Sequence, residues 1–383
     1  MLLITLVRYI LGIVNARHID LGLVNIIFER RFVAMKRILV YVIALLLIQV
    51  YSAGAAPSVS TISGAFFEGS SVSISGSNFG TKSVAAPVKW DNFNDGTNGN
   101  QLSKAKWPAQ TALGGSTYPT YSNSVLRTND VMSVKTVMDG GEYSCAFGYD
   151  GTGKRYWYIS YWRYDIAGTP SNYKHFRIYG NGSGNCPMAV YTELSAETSI
   201  FGVGKEPDEN DAGTTTWTGN VGLRKVWTRE EFYIDAGTRG NSDGSAKFWR
   251  DAVLLNSFSF TQAALKAGYS GELSIARINN YWAGSGGITS YFSEAYIDNT
   301  QARVEIGNAS TWNSCTHREI QIPTAWSDYS ITITFNTGSF VENNTVYLFV
   351  VDANGNVNSE GYPVTIQKAV TPPLAPKGLR IVQ

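Results

Sequence analysis

The chain has 383 residues, a formal net charge of +1 and only 16% charged residues. A near-neutral balance without a basic tract argues against a nucleic-acid partner. Thirty-eight Gly, twenty-two Tyr and ten Trp, with no heptad pattern, point instead to an exported all-β protein.

The first feature along the chain is a targeting segment. Met35-Lys36-Arg37 is a short basic start, Ile38 to Val50 is apolar apart from Gln49, and Ser52-Ala53-Gly54-Ala55-Ala56 supplies small residues for cleavage. The pattern is that of a secretory signal over residues 35–56, and the apolar run is shorter than the roughly 20 residues of a membrane span. Residues 1–34 are expected to be a spurious extension upstream of a start at Met35. The expected location is the medium or the cell surface, with membrane attachment only through an uncleaved signal segment.

Ser58 to Ile62 and Ser71 to Ser75 alternate as strands do, between turns marked by Gly64, Gly69 and Gly76. Gly76-Ser77-Asn78-Phe79-Gly80 follows, with Phe79 as a plug and the two glycines available for positive φ. After Pro87, further strands are expected over Arg155–Tyr164, Lys174–Tyr179, Met188–Glu193, Glu231–Asp235, Ala246–Arg250 and Glu272–Ile278. Asn241-Ser242-Asp243-Gly244 is a hairpin turn, and Ser259 to Ala267 has room for a short helix. A second strand-rich stretch runs from Ala302-Arg303-Val304-Glu305-Ile306-Gly307 through Trp326 to Phe335 and Thr345 to Val351. Thr371-Pro372-Pro373-Leu374-Ala375-Pro376 is a Pro-rich tail within 369–383.

The segments at 57–86 and 302–368 resemble the opening and the remainder of an IPT/TIG domain, which is immunoglobulin-like. Asp91-Asn92-Phe93-Asn94-Asp95-Gly96 and Tyr291-Phe292-Ser293-Glu294-Ala295-Tyr296-Ile297-Asp298-Asn299 resemble the first and last strands of concanavalin A-like jelly rolls. The resemblance implies paired terminal strands, hence adjacent ends, which is the geometric condition for inserting one domain into a turn of another. The expected architecture is therefore a jelly-roll β-sandwich over 87–301, inserted in an immunoglobulin-like sandwich of IPT/TIG type.

Tyr161 and Arg163 share one face of their strand, and His175, Arg177 and Tyr179 alternate on the next. With Tyr233 they form an expected glycan surface, where rings meet sugar C–H groups and Arg and His donate to hydroxyls or carboxylates. Asp91, Asn94, Asp95 and Asp298 are an expected structural calcium site, similar jelly rolls often holding calcium there. Export permits disulfides, and Cys145 with Cys186 is the best candidate pair among three cysteines; free buried thiols are the alternative. His317-Arg318 is expected on a polar surface strand.

No catalytic motif stands out. The Glu-x-Asp-x-x-Glu strand of jelly-roll glucanases is absent, and His175 and His317 are the only histidines after the signal. The expected function is non-catalytic binding of a polysaccharide or surface glycan by the jelly roll, with the IPT-like part as scaffold. The alternatives are a lyase-like enzyme using Tyr161, Arg163, His175 and Arg177, and an adhesion protein that binds another surface protein.

Overall fold

The computed structural model describes residues 55–369, except 115–116, 139–140, 168–172, 181–187, 196–197, 206–214, 218–224, 262, 266, 268–271 and 285–287. The signal segment, the upstream extension, the tail from 370 and Cys186 lie outside the described residues. The architecture is all-β. Among the described residues the single helical element is a short turn, Trp312–Ser314.

Strands from both ends of the described chain share one sheet. Its order is β1 (Ser58–Gly64), β2 (Ser71–Ser77), β20 (Ser330–Thr334), β19 (Arg318–Trp326), β18 (Arg303–Gly307), β21 (Thr345–Val351) and β22 (Tyr362–Thr365). β19 joins the two halves: Arg318 to Gln321 pair with β18, whereas Ile322 to Trp326 pair with β20. A strand that changes partners part-way lets a sheet fold over its own core. That core holds Val72 and Ile74, Val304 and Ile306, Ile331 and Ile333, and Leu348 and Val350. Phe79 is fully buried in it. Gly80 has a φ of +72°, as expected. Gly76 owes its place to close packing instead: a Cβ there would meet the Ser58 carbonyl at 1.9 Å and the Phe79 ring at 2.6 Å.

The intervening chain forms two further sheets. One has the order β12 (Thr215–Trp217), β11 (Thr198–Lys205), β10 (Met188–Ser195), β9 (Tyr173–Gly180), β16 (Leu273–Gly284), β7 (Gly141–Asp150) and β4 (Thr111–Leu113). The other runs β15 (Val253–Ser259), β14 (Ser245–Arg250), β13 (Thr228–Asp235), β8 (Tyr156–Ala167), β17 (Ile288–Asp298), β6 (Ser133–Met138) and β5 (Thr120–Ser122), and β3 (Lys89–Asp91) also pairs with β17. Asp91 stands opposite Ala295, so the opening and closing strands are neighbours. The expected helix after Ser259 does not form among the described residues, and β15 takes up the stretch before it.

The two sheets enclose an aromatic core. Phe176, Phe232 and Phe248 stack in series, with ring centroids 4.5 and 4.9 Å apart. Such offset pairs add roughly 0.5–1.5 kcal/mol each beyond the area they bury. Cys145 is a free thiol in this core, pushed up to about 12 by burial. Cys186, its expected bridge partner, lies outside the described residues.

Candidate functional site

A two-layer sandwich has one interior and two outer faces, and each strand distributes its residues between an inner and an outer set by period-2 alternation. In the eight-stranded sheet, Trp157, Ile159 and Tyr161 of β8 and Phe232 and Ile234 of β13 point inward. Tyr158 and Tyr233 point outward with Tyr296 and pack on Ile320 of the other sandwich. The outer face of this sheet is thus covered there.

The cover is rich in charge. Arg229 of β13 donates from Nη1 to Glu305 of β18 at 2.7 Å and to the Arg318 carbonyl at 2.9 Å. Arg303 and Arg318 also reach Glu305, at 2.5 and 3.1 Å. The Tyr158 hydroxyl donates to Glu231 at 2.6 Å. Burial by itself would raise the Glu305 carboxyl, but the Arg229, Arg303 and Arg318 guanidiniums together hold it well below the ordinary carboxylate range.

Beside this layer lies a second cluster. Glu319 accepts from Arg127 and from the Ser339 amide at 2.9 Å, the Ser339 hydroxyl at 2.7 Å and Trp162 Nε1 at 3.2 Å, and His317 Nε2 lies at 2.8 Å. Burial opposes its ionisation, yet Arg127 and His317 keep it below the usual range. Glu294 shares Arg127 but has few other donors. Burial raises it well above its ordinary value, against Arg127 and with the help of Glu319 and Asp130. Of these two carboxyls, Glu319 has the donors that favour its charged form.

The other outer side of the jelly roll belongs to the seven-stranded sheet. Phe176 and Ile178 of β9 and Ala276 and Ile278 of β16 point into the core. Arg177 and Arg277 therefore lie on the outer side, directly opposite each other in register, and Arg177 also stands opposite Tyr191 of β10. Arg277 is buried, donating to the Tyr149 carbonyl at 2.6 Å and lying 3.5 Å from Asp150, whereas Arg177 is half-buried. Two neighbouring guanidiniums on one face suit carboxylates or sugar hydroxyls.

The expected glycan residues do not converge. Tyr161 is fully buried in the core, and burial raises its phenol well above the ordinary value. Arg163 is buried beside it, donating to Asp165 and, at 2.7 Å, to Glu230. Tyr233 lies on the opposite, covered face, its phenol pushed up to about 12 by burial. A ligand reaching Arg177 thus meets neither tyrosine. The physical reason is that β8 and β9 belong to different sheets, so their alternations face different ways. The side chains of His175 and Tyr179 lie outside the described residues, although both positions fall in β9 with Arg177.

The expected calcium residues are already engaged. Asp91 accepts from the Phe93 amide at 2.9 Å and from Trp107 Nε1 at 3.0 Å. The Lys106 ammonium lies 3.5 Å from Asp91 and 2.6 Å from Asp95. Asn94 accepts from the Val131 and Met132 amides, and Asp298 pairs with buried Lys82 at 2.7 Å. These residues do not fit a calcium ion, because a lysine occupies the place beside each carboxylate. Among the described residues no group of three or more His, Cys, Asp or Glu is arranged to hold a metal.

Arg318, expected on a surface strand, is buried in the charged layer. The layer itself was missed. Its signal was present as charge alternating with apolar residues in Arg303-Val304-Glu305-Ile306 and as the Arg229-Glu230-Glu231 run directly before Phe232-Tyr233-Ile234.

No protein-family model matches the chain, and no curated protein matches it in sequence. Among solved structures, the chain is similar to an endo-β-1,4-glucuronan lyase from the fungus Trichoderma reesei at 13% identity and a TM-score of 0.44, covering 56% of this chain and 96% of the other. An alginate lyase matches at 8% identity and a TM-score of 0.39, over 56% and 98%. A domain of an extracellular arabinanase from Geobacillus stearothermophilus, in complex with arabinotriose, matches at 14% and 0.36, over 56% and 92%.

Proposed function

We propose that this is an exported, non-catalytic carbohydrate-binding protein. The jelly roll holds an acidic polysaccharide on the outer face of its seven-stranded sheet, and the IPT/TIG-like sandwich is a rigid scaffold. The observation that carries this reading is the half-buried Arg177 on the outer side of that sheet, in register opposite the buried Arg277. The Arg177 guanidinium offers a fork-shaped donor to a uronate carboxylate. The covered face, with Tyr233, is committed to holding the two sandwiches together.

The test is a glycan-array screen of the mature protein and of Arg177→Ala. Binding of acidic polysaccharides is expected, reduced about tenfold or more in the variant, as for loss of one charge-assisted contact. A folded protein that binds no glycan, or a variant that binds as well as the parent, removes this reading and brings adhesion to another surface protein forward.

A further inference from the structure

Along β8, the contacts with the second sandwich run from Tyr158, under the Arg303 guanidinium, to Trp162, which donates to Glu319 and carries the His317 ring at a centroid distance of 5.1 Å. Tyr164 and Ile166 continue the same outer set past that boundary, because residues two apart in a strand share a face. Register extends the surface sideways: Tyr164 stands opposite Tyr291 of β17, and Tyr291 opposite Lys135 of β6. On the other side of β8, the Trp227 indole packs on Tyr164 with centroids 5.7 Å apart. One row therefore crosses the sheet from Trp227, just before β13, to Lys135, a span of about 14 Å at the usual strand spacing.

The row combines ring surface with an unanswered cation. Tyr164 and Trp227 are half-buried, Tyr291 is buried as the floor between Tyr164 and Lys135, and Ile166 and Val226 are exposed at the rim. Lys135 is half-buried, and its ammonium has no ion pair or hydrogen bond among the described residues. Further along the same face Arg229 and Glu231 are both paired across the boundary, with Glu305 and Arg318. Asp251, the carboxylate that reaches this part of β13, is engaged by the Arg229 amide at 2.9 Å.

We infer that this shelf is a second carbohydrate site, and that it takes a short acidic oligosaccharide. Sugar C–H faces lie on Tyr164 and Trp227, and Lys135 pairs with a carboxylate at one end of the row. The rings select a chain with flat apolar faces, and the unpaired ammonium selects an anionic one. The shelf shares no residue with the Arg177 face and belongs to the other sheet. With that face it lets one molecule hold two polysaccharide chains; the bridging, though not the shelf itself, rests on the function proposed above.

The experiment is calorimetric titration of the full protein carrying Arg177→Ala, so that the other site's guanidinium is gone, with an α-1,4-linked galacturonate tetramer and with its methyl ester. Esterification removes the charge and keeps the rings. The acid is expected to bind at one site per molecule, at least about tenfold more tightly than the ester. Adding Lys135→Gln is expected to make the two affinities equal, and adding Trp227→Ala to weaken both several-fold, with urea midpoints confirming folded protein. No binding of the acid by folded Arg177→Ala protein, a preference unchanged by Lys135→Gln, or affinities unchanged by Trp227→Ala would overturn the shelf and leave the Arg177 reading standing.

Discussion

On β13, Phe232 and Ile234 point into the jelly-roll core, while Arg229, Glu231 and Tyr233 point toward the second sandwich, and all five are 8% exposed or less. One face is filled by stacked rings and aliphatic side chains. The other is filled by arginines and glutamates whose charges meet across the boundary. Burial is equal on the two faces, but the chemistry that tolerates it is different. The aromatic face gains from leaving water whatever its partner is. The charged face is tolerated only in one registration, in which Arg229, Arg303 and Arg318 all find Glu305. The lesson is that the apolar interior supplies most of the driving force, whereas the charged boundary fixes how one sandwich sits on the other.

The sharpest way to break this comparison is to remove the central carboxylate. Glu305→Ala leaves three buried guanidiniums without it and is expected to cost about 3–5 kcal/mol in urea unfolding. Replacing charge and partner together, as in Arg229→Met with Glu305→Leu, is expected to cost less than Glu305→Ala alone. If the single and double variants lose the same amount, the boundary does not act through its charges. On the other face, Phe232→Ala is expected to cost about 3–5 kcal/mol by cavity formation, with no change in its dependence on salt or pH.

pH separates the two faces more finely. Glu305 and Glu319 have folded-state pKa values held below the ordinary value of 4.5. Their contribution is complete above that value and is lost as pH falls through the depressed folded values. Glu294 has the opposite shift, raised above 4.5. Its contribution is complete below 4.5 and is lost as pH rises through the raised folded value. Glu294→Gln removes that loss, so its stability relative to the parent should improve as pH rises from about 4.5 toward neutrality. Urea midpoints over that range provide the check, and a constant difference would contradict the assignment.

The smallest expected signal concerns the aromatic core alone. Cys145, buried with its thiol pushed up to about 12, should resist alkylation in the native protein and react on unfolding. Site-resolved mass spectrometry reads this directly, and rapid native labelling would mean that the core opens locally.

Much of the local structure was legible from the residues. β8, β9, β13 and β14 were legible because Tyr, Trp, Phe and Ile dominate them and suit a pleated strand. Fully buried Phe79 in its glycine-flanked turn was legible too. The candidate site was less so. Alternation assigns Tyr161 and Arg177 to faces of their own strands, but not to sheets, and these strands are in different sheets. Asp91 and Asp298 were visible as acidic residues near a strand pairing, but Lys106 and Lys82, which answer them, are distant in sequence or outside the motif.

The sequence by itself determined the all-β class, because its composition and period-2 patterns leave no long amphipathic helix to form. It also determined which residues of each strand share a face, because that follows from the pleat alone. Only the tertiary structure decided that one face of the eight-stranded sheet is sealed by charge around Glu305 rather than open to ligand there, and that Arg177 meets Arg277. Those outcomes depend on contacts between residues tens to hundreds of positions apart, and no local rule of spacing encodes which distant strand becomes a neighbour.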